Sequence, residues 1–178
     1  MKTVRTILTE MLAIMQNIDS QQYSNLVSVF SKDHRFFFSG EGRSGLIGKA
    51  IAMRLMHSGK AVFVIGETTT PAICQGDQLV VLSGSAKTAS TLHIIASAKK
   101  VGAKVFLITT NQEALQTTAG LCLPAATKYR LPEEPKTIQP LGNQFDQAAH
   151  LLLDAAIIDS LSELQTNEAL TRKHANLE

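Results

Sequence analysis

The sequence has 178 residues, of which 44% are apolar and 18% are charged, and its formal net charge is +2. This length predicts one compact domain over residues 1–178, and the composition is that of a globular chain, not a disordered one. Basic residues are scattered among acids, without the clustered positive stripe that nucleic acids require, and no apolar run reaches the roughly 18 residues of a membrane span. We therefore expect a soluble cytoplasmic protein with no nucleic-acid or membrane partner.

Helical periodicity opens the chain. Apolar residues from Val4 to Ile18 recur at steps of three and four, which predicts an amphipathic helix, and a second helical pattern covers about residues 21–32. Short, continuously apolar runs then predict strands that are covered on both faces. The predicted strands are 35–39, 61–65, 79–82, 105–109 and 121–123.

Helical patterns separate most of these strands. They cover about 44–58, 88–101, 112–119 and 143–165. Strands that alternate with helices predict parallel pairing through right-handed crossovers, and hence a three-layer α/β sandwich with five strands. The proline-rich segment 128–140 is predicted to be an exposed connection, and the polar residues 166–178 have the composition of a frayed tail.

The stretch "SGEGRSG", residues 39–45, follows the first predicted strand. Open parallel sheets bind ligands at the carboxyl ends of their strands, where this stretch lies. Gly40 and Gly42 permit backbone conformations that other residues avoid, and Ser44 opens a helix whose free N–H groups favour an anion such as phosphate. The spacing fits neither a Walker loop nor a dinucleotide fingerprint, and a plain turn with Ser44 as a helix cap stays open.

A second loop, "SGSAKTAS" at residues 83–90, follows the predicted strand 79–82. Ser83, Ser85 and Thr88 bring three hydroxyls to another strand end and helix start, where hydroxyls and N–H groups can surround a phosphate. Ordinary helix capping is the alternative. Because two such loops meet at one sheet edge, the sequence favours a phosphate site, to which Lys87 could add charge.

Five segments resemble one family: "GEGRSGLIGKAIAMRLMHSG", "VIGETTTPAI", "GDQLVVLSGSAKT", "PLGNQFDQAAHLLLD" and the terminal "RKHANLE". They are similar to the 6-phospho-3-hexuloisomerases of the sugar isomerase (SIS) domain superfamily. The resemblance implies a SIS domain with flavodoxin-like strand order and reversible conversion of 3-hexulose 6-phosphate to fructose 6-phosphate in the ribulose monophosphate route of formaldehyde fixation. It also implies a homo-oligomer, commonly a tetramer, and no metal or organic cofactor.

The resemblance assigns the sugar phosphate to the hydroxyl-rich loop, here Ser83, Ser85 and Thr88, with Ser44 as a further contact. The glycines of the first loop, Gly42 among them, would give the ligand room, and Arg43 would contact phosphate or a neighbouring subunit. The chain departs from the family at Ala86, where glycine is usual. A negative φ at Ala86 would make that change harmless, and a positive φ would require the loop to shift.

Moving a carbonyl to the adjacent carbon requires a base that takes and returns a proton through an enediol. The resemblance puts a glutamate at the position of Asp146, so Asp146 is the first candidate, one methylene shorter than usual. Glu67 is the reserve, and Glu41 and Asp77 are further acids at element ends. Solvated acids of a helix turn or loop are the alternatives for Asp146 and Glu67.

His57 and His174 are the candidates for moving oxygen protons or opening the sugar ring. A histidine favoured by the helix C-terminus is the alternative for His57. The terminal "HANLE" matches the family, so the tail is expected to fold back over a site, its own or a neighbour's. Two further hypotheses stay open: a non-catalytic SIS module that senses a sugar phosphate, and an isomerase of another phosphosugar.

Overall fold

The computed structural model describes residues 1–163 and 165–177. Its helices are α1 (Lys2–Gln16), α2 (Ser20–Ser31), α3 (Gly42–His57), α4 (Ala89–Lys100), α5 (Asn143–Ser160) and α6 (Asn167–Thr171). Its strands are β1 (Arg35–Gly40), β2 (Ala61–Val64), β3 (Gln78–Leu82), β4 (Lys104–Thr109) and β5 (Gly120–Cys122). Each strand falls on one of the five predicted apolar runs, so the predicted strands are confirmed.

The strands form one parallel sheet in the order β2-β1-β3-β4-β5. β1 and β3 are neighbours although α3 and β2 separate them in the chain, and their register pairs Gly40 with Leu82. Winding therefore reverses between β1 and β3, and the loops that follow them diverge toward opposite faces. Such a reversal leaves a crevice at the carboxyl ends of the two strands, which is where open α/β sheets bind ligands.

Helices cover both faces of the sheet, as the predicted three-layer α/β architecture requires. Phe36 and Phe38 pack with α1, α2, α3 and α5 on one face, whereas Phe37 packs with α4 on the other. All three rings are fully buried because successive side chains of a strand point to opposite faces. The uninterrupted apolar run that predicted β1 is thus explained by two cores, one on each side.

Three predicted helix boundaries are corrected by the structure. The predicted helix 112–119 is only a short 3-10 helix, Glu113–Gln116, because the chain must turn directly into β5. The last long helix ends at Ser160 and not at residue 165. Helix α3 begins at Gly42, so Ser44 lies inside its first turn and does not cap it.

The segment 128–140 is less exposed than predicted at its end. Glu10 of α1 accepts hydrogen bonds from Thr137 and from the backbone of Ile138, and Gln139 is 2% exposed. This segment is therefore fastened to α1. Among the described residues, no helix is both long and apolar enough to cross a membrane.

The N-terminal stripe and the C-terminal tail also differ from expectation. On α1, Met11 and Ile14 are buried but Val4 and Leu8 are half or more exposed, so only part of the apolar stripe meets the core. The tail forms α6, whose Thr166 caps the helix by accepting from the Ala169 N–H. A frayed tail was therefore the wrong interpretation of its polar composition.

Candidate functional site

The turn between β1 and α3 is unusually close. A Cβ on Gly45 would lie 2.6 Å from the Gly40 carbonyl oxygen, and a Cβ on Gly40 would lie 2.9 Å from the Gly45 nitrogen. Gly42 has a φ of +54°, a conformation that favours glycine. These glycines let the first turn of α3 touch the end of β1, which aims Arg43 and Ser44 toward α5.

Asp146 is the buried acid of this edge. It lies in the first turn of α5 and is 5% exposed. The Ser44 hydroxyl donates to its Oδ1 at 2.9 Å, and Arg43 Nε lies 3.3 Å from its Oδ2. Burial raises the pKa of the Asp146 carboxyl, and the bond from Ser44 and the charge of Arg43 offset only part of that rise. The arrangement is a held carboxylate with increased basicity.

The loop 83–88 adopts a strained, internally bonded turn. Ser83 is buried, and its hydroxyl accepts from the Ala86 N–H at 3.1 Å. Ala86 has a φ of +51°, so the family glycine is replaced here by alanine without loss of the left-handed conformation. Thr88 is the N-cap residue of α4, and within that fully described helix its side chain makes no capping bond. Thr88 is exposed, and the hydroxyl of half-buried Ser85 accepts from the Lys87 N–H at 3.4 Å.

Residues at the end of β4 and just after it hold this loop from behind, and they were not predicted from the sequence. The hydroxyls of Thr109 and Thr110 both donate to the Gly84 carbonyl, at 2.8 Å and 3.0 Å. Asn111 Nδ2 donates to the Ser85 carbonyl at 3.0 Å. With these carbonyls bound behind it, the loop is held in place at the start of α4. The signal that could have identified them was "TTN" at the end of the strand beside β3.

The loop and the acid belong to one region. A Cβ on Gly84 would lie 3.3 Å from Thr127 Cγ2 and 3.8 Å from the Phe145 ring, so the start of α5 packs directly on the loop. Phe145 precedes Asp146 in the chain. Two loops that are distant in sequence and the first turn of α5 thus meet at the carboxyl edge of the sheet.

Glu67, the reserve candidate for the base, follows the edge strand β2 and pairs with a residue of α3. Its side chain is 51% exposed and forms an ion pair of 2.5 Å with Lys49 on α3. The structure therefore does not bring Glu67 together with Asp146.

Glu41 and Asp77 have other partners. Glu41 accepts from the Ser90 hydroxyl at 2.6 Å, which ties the β1–α3 turn to α4. Asp77 precedes β3, at the opposite edge of the sheet, and forms a two-bond pair with Arg35 at 2.9 Å and 2.6 Å. Both acids act as structural ties.

His57 and His174 come together, but at the other end of α3. Their rings stack with centroids 5.1 Å apart, beside a cleft of about 360 Å³ lined in part by Arg54 and Asp154. Thirteen residues of helix separate Ser44 from His57, or about 20 Å at 1.5 Å per residue. Burial, then the neighbouring His174 and Arg54, lower the pKa of His57. Within one chain this pair cannot touch a ligand held by Asp146.

Comparison with known proteins identifies the family. Residues 29–139 match the SIS domain. The chain is 35% identical to the 3-hexulose-6-phosphate isomerase of Bacillus subtilis (strain 168), over 98% of this chain and 97% of that one. It is 39% identical to the enzyme of the same name from Mycobacterium gastri, over 90% and 82%.

A solved structure agrees with these relatives. A Methanococcus jannaschii protein with an inferred function of 3-hexulose-6-phosphate isomerase superposes with a TM-score of 0.84 at 26% identity, over 100% of both chains. The five-stranded sheet and the sequence match are those of a SIS domain protein. More narrowly, the chain belongs to the family of the 3-hexulose-6-phosphate isomerases, as its motifs predicted.

Proposed function

We propose that the chain is a cofactor-independent isomerase that interconverts 3-hexulose 6-phosphate and fructose 6-phosphate. The observation that carries the proposal is the bond from Ser44 to Asp146, which holds a buried carboxylate beside the loop 83–88. The names of the two relatives support the choice of substrate. We assign the activity to the ribulose monophosphate route of formaldehyde fixation in the cytoplasm.

Asp146 acts as the base in this proposal. It takes the proton from C2 of the hexulose, the electrons left behind form the C2–C3 double bond, and the C3 oxygen gains a proton to give the enediol. A proton then returns to C3 while the C2 oxygen loses its own, which leaves the C2 ketone of fructose 6-phosphate. The raised pKa of Asp146 strengthens it for the first step.

The phosphate is bound by the loop 83–88. Ser85 and Thr88 bring their hydroxyls to the start of α4, whose N–H groups favour an anion. Ser83 shapes the loop through its bond to Ala86 and contributes less directly. At Gly42 no described atom lies within 4 Å of the place a Cβ would occupy, which leaves room for the sugar beside Arg43 and Ser44.

His57 and His174 complete the site of a neighbouring subunit in this proposal. Their distance from Asp146 requires it, and the described surface offers apolar contact residues on adjacent helices. Leu46 and Met53 are one two-turn step apart on α3, and Leu151 and Ile158 are similarly spaced on α5; all four are about half or more exposed. Repeats of this kind are typical of helix pairing between subunits, here a homotetramer.

A subunit-mixing experiment tests this sharing. Asp146→Asn and His174→Ala chains are each expected to be inactive, and co-expressed chains are expected to regain a substantial fraction of the activity. Recovery requires a site built from two chains, because neither variant chain is intact. A mixture that stays as inactive as its parents would contradict the shared site, and purification through two different affinity tags, one on each variant, reports whether mixed oligomers formed. We further propose that the chain is one SIS domain. Its N-terminal helices cover residues 1–33, its α/β core covers 34–165 and its tail covers 166–178.

Formaldehyde release is the test of activity. Purified chain, fructose 6-phosphate and an active hexulose-phosphate synthase are expected to release formaldehyde, and Asp146→Asn is the matched control. No release in the presence of active synthase would overturn the proposal. A panel of other ketose phosphates, followed by NMR, tells whether the chain prefers another phosphosugar.

A non-catalytic sensor of sugar phosphate is the second candidate. One observation favours it: Ser44 and Arg43 contact both oxygens of the short Asp146 side chain, which leaves the carboxylate less free to act as a base. Asp146→Glu separates the two functions. A silent protein that gains activity through this change is a degenerate isomerase, whereas high activity in the unchanged protein removes the sensor.

A further inference from the structure

Four polar side chains link α1 to the candidate base. Glu10 Oε2 accepts from Gln139 Nε2 at 2.8 Å, and Gln139 Oε1 accepts from Asn143 Nδ2 at 2.7 Å. Asn143 Oδ1 accepts from an Arg43 Nη2 donor at 2.6 Å. Arg43 Nε then faces Asp146 at 3.3 Å. A continuous chain of contacts thus runs from the N-terminal helix to the carboxylate of the proposed active site.

The chemistry of its two ends fixes the direction of this chain. An ionised glutamate only accepts hydrogen bonds and an arginine only donates them. Each amide between them must therefore point its nitrogen toward Glu10 and its oxygen toward Arg43. If either amide were reversed, two donors or two acceptors would face each other. Glu10 in this way dictates which atom Asn143 presents to Arg43.

Glu10 is well held in its ionised state. Although burial disfavours its charge, hydrogen bonds from Gln139, Thr137, Ile138 and Gln144 together lower the pKa of its carboxyl. Gln139 and Gln144 are 2% and 1% exposed, so water does not compete for their amides. The acceptor end of the chain is therefore the rigid end.

Arg43 is the end that needs support. Its side chain is 62% exposed, and an exposed ion pair on a long side chain holds its geometry weakly. The short bond to Asn143 supplies a second anchor for the guanidinium. Arg43 is the charged group that faces Asp146, since His150, one turn further along α5, pairs with Asp154 instead.

We propose that Glu10 is a positioning residue that, through Gln139 and Asn143, holds Arg43 against Asp146 and so limits the basicity of the proposed catalytic carboxylate. The proposal rests on the proposed function only for the role of Asp146. It makes the N-terminal helix a determinant of the pH dependence of the reaction.

The sign of the expected effect distinguishes this role from simple electrostatics. In Glu10→Gln the amides are free to reverse, Arg43 loses its acceptor, and the Asp146 pKa is expected to rise by on the order of half a unit. Direct removal of a distant negative charge would shift the same pKa in the opposite direction, downward. The acid limb of the kcat/KM profile is expected to move to higher pH by the same amount.

The experiment is a titration of the Asp146 carboxyl by carbon NMR in the full chain, with the signal assigned by its loss in Asp146→Asn. Asn143→Ala removes the middle of the chain near the surface and is expected to give the same upward shift, which guards against misfolding of Glu10→Gln. Tyr23→Phe is the control. It removes a 2.6 Å bond between α2 and Asp159 of α5 but leaves the chain of contacts intact, so the Asp146 titration should not move.

The outcomes separate the two proposals. A raised Asp146 pKa in both test variants, with none in Tyr23→Phe, supports the positioning role even if the wild type fails to isomerise the hexulose. An unchanged or lowered pKa in Glu10→Gln and Asn143→Ala overturns it even if the wild type is active. Absence of wild-type activity would count against the proposed function alone.

Discussion

The predicted catalytic residues lie beside the two ends of α3, and the polar groups at these two ends are held in different ways. At the amino end a buried carboxylate, Asp146, is fixed by the hydroxyl of Ser44 and the charge of Arg43. At the carboxyl end two imidazoles, His57 and His174, stack face to face beside a cleft. Burial raises the pKa of Asp146 in the first arrangement and lowers the pKa of His57 in the second.

Within one chain, the amino end of α3 is therefore the end proposed to act on the substrate, and the carboxyl end is the one to which the tail attaches. In the proposed function Asp146 exchanges protons with a ligand held by the adjacent loop, and burial raises its pKa. The imidazole stack instead joins the tail to the end of α3, where Gln165 also donates to the Ser58 carbonyl. A role for the histidines in the reaction therefore depends on a second chain.

The largest expected effect comes from Asp146→Asn, which keeps the shape of the side chain and removes its proton affinity. Loss of the base is expected to lower kcat by about 10²–10⁴-fold, measured by the coupled formaldehyde assay. Asp159→Asn, on the exposed side of α5 where Asp159 accepts from Tyr23, is the control and should change kcat little. If the two substitutions were equally damaging, the amino end of α3 would not be the distinct catalytic region.

A smaller effect is expected from Thr109→Val. This fully buried hydroxyl donates to the Gly84 carbonyl, and its loss should let the phosphate loop relax, which raises KM by about tenfold while kcat changes less. Thr118→Val removes another buried hydroxyl, an acceptor from Lys99, and serves as the control for stability alone. Equal KM values for the two variants would argue against support of the loop by β4.

The carboxyl end of α3 is expected to affect the stability of the protein at acidic pH. The lowered pKa of His57 means that the unfolded chain binds more protons than the folded one as pH falls. The stability from neutral His57 is thus present above about pH 6.5, the ordinary histidine value, and is lost as pH falls through the folded pKa. Thermal melts across pH are expected to show a shallower acid loss in His57→Gln, but not in His93→Gln on the exposed side of α4.

The smallest effect is expected at Ala86. Glycine relieves the left-handed backbone but adds freedom to the unfolded chain, so Ala86→Gly is expected to stabilise by at most about 1 kcal/mol. Ala96→Gly, on an exposed helical position of α4, should destabilise by a similar amount. Melts in which both variants shift the same way would contradict strain at Ala86.

The sequence predicted the sheet because its signal is local. Each of the five strands is a continuous apolar run, and the alternation with helices defined the parallel architecture. The helix 112–119 was mistaken because helical periodicity over eight residues cannot reveal that the chain must turn into β5. The tail was mistaken for a similar reason, since polar composition does not show that His174 stacks on His57.

The sequence predicted several residues of the candidate site but not the contacts between them. Asp146 and Ser44 were named separately, yet their bond joins residues 102 positions apart and depends on how α3 and α5 pack. No sequence motif indicated a role for Gln139, because the role of a buried amide depends on the residues that it contacts in the folded chain. His57 and Asp146 were grouped by resemblance, and only the length of α3 shows that one chain keeps them apart.

The close turn at the end of β1 has a consequence for how the protein can diverge. Any side chain at Gly40 or Gly45 would force the first turn of α3 off the sheet, and Gly42 is restricted by its φ. Within residues 40–45, substitutions are therefore tolerated mainly at Glu41, Arg43 and Ser44. Two of these contact Asp146, so new substrate preferences in descendants of this chain would arise there through single substitutions, without remodelling the scaffold.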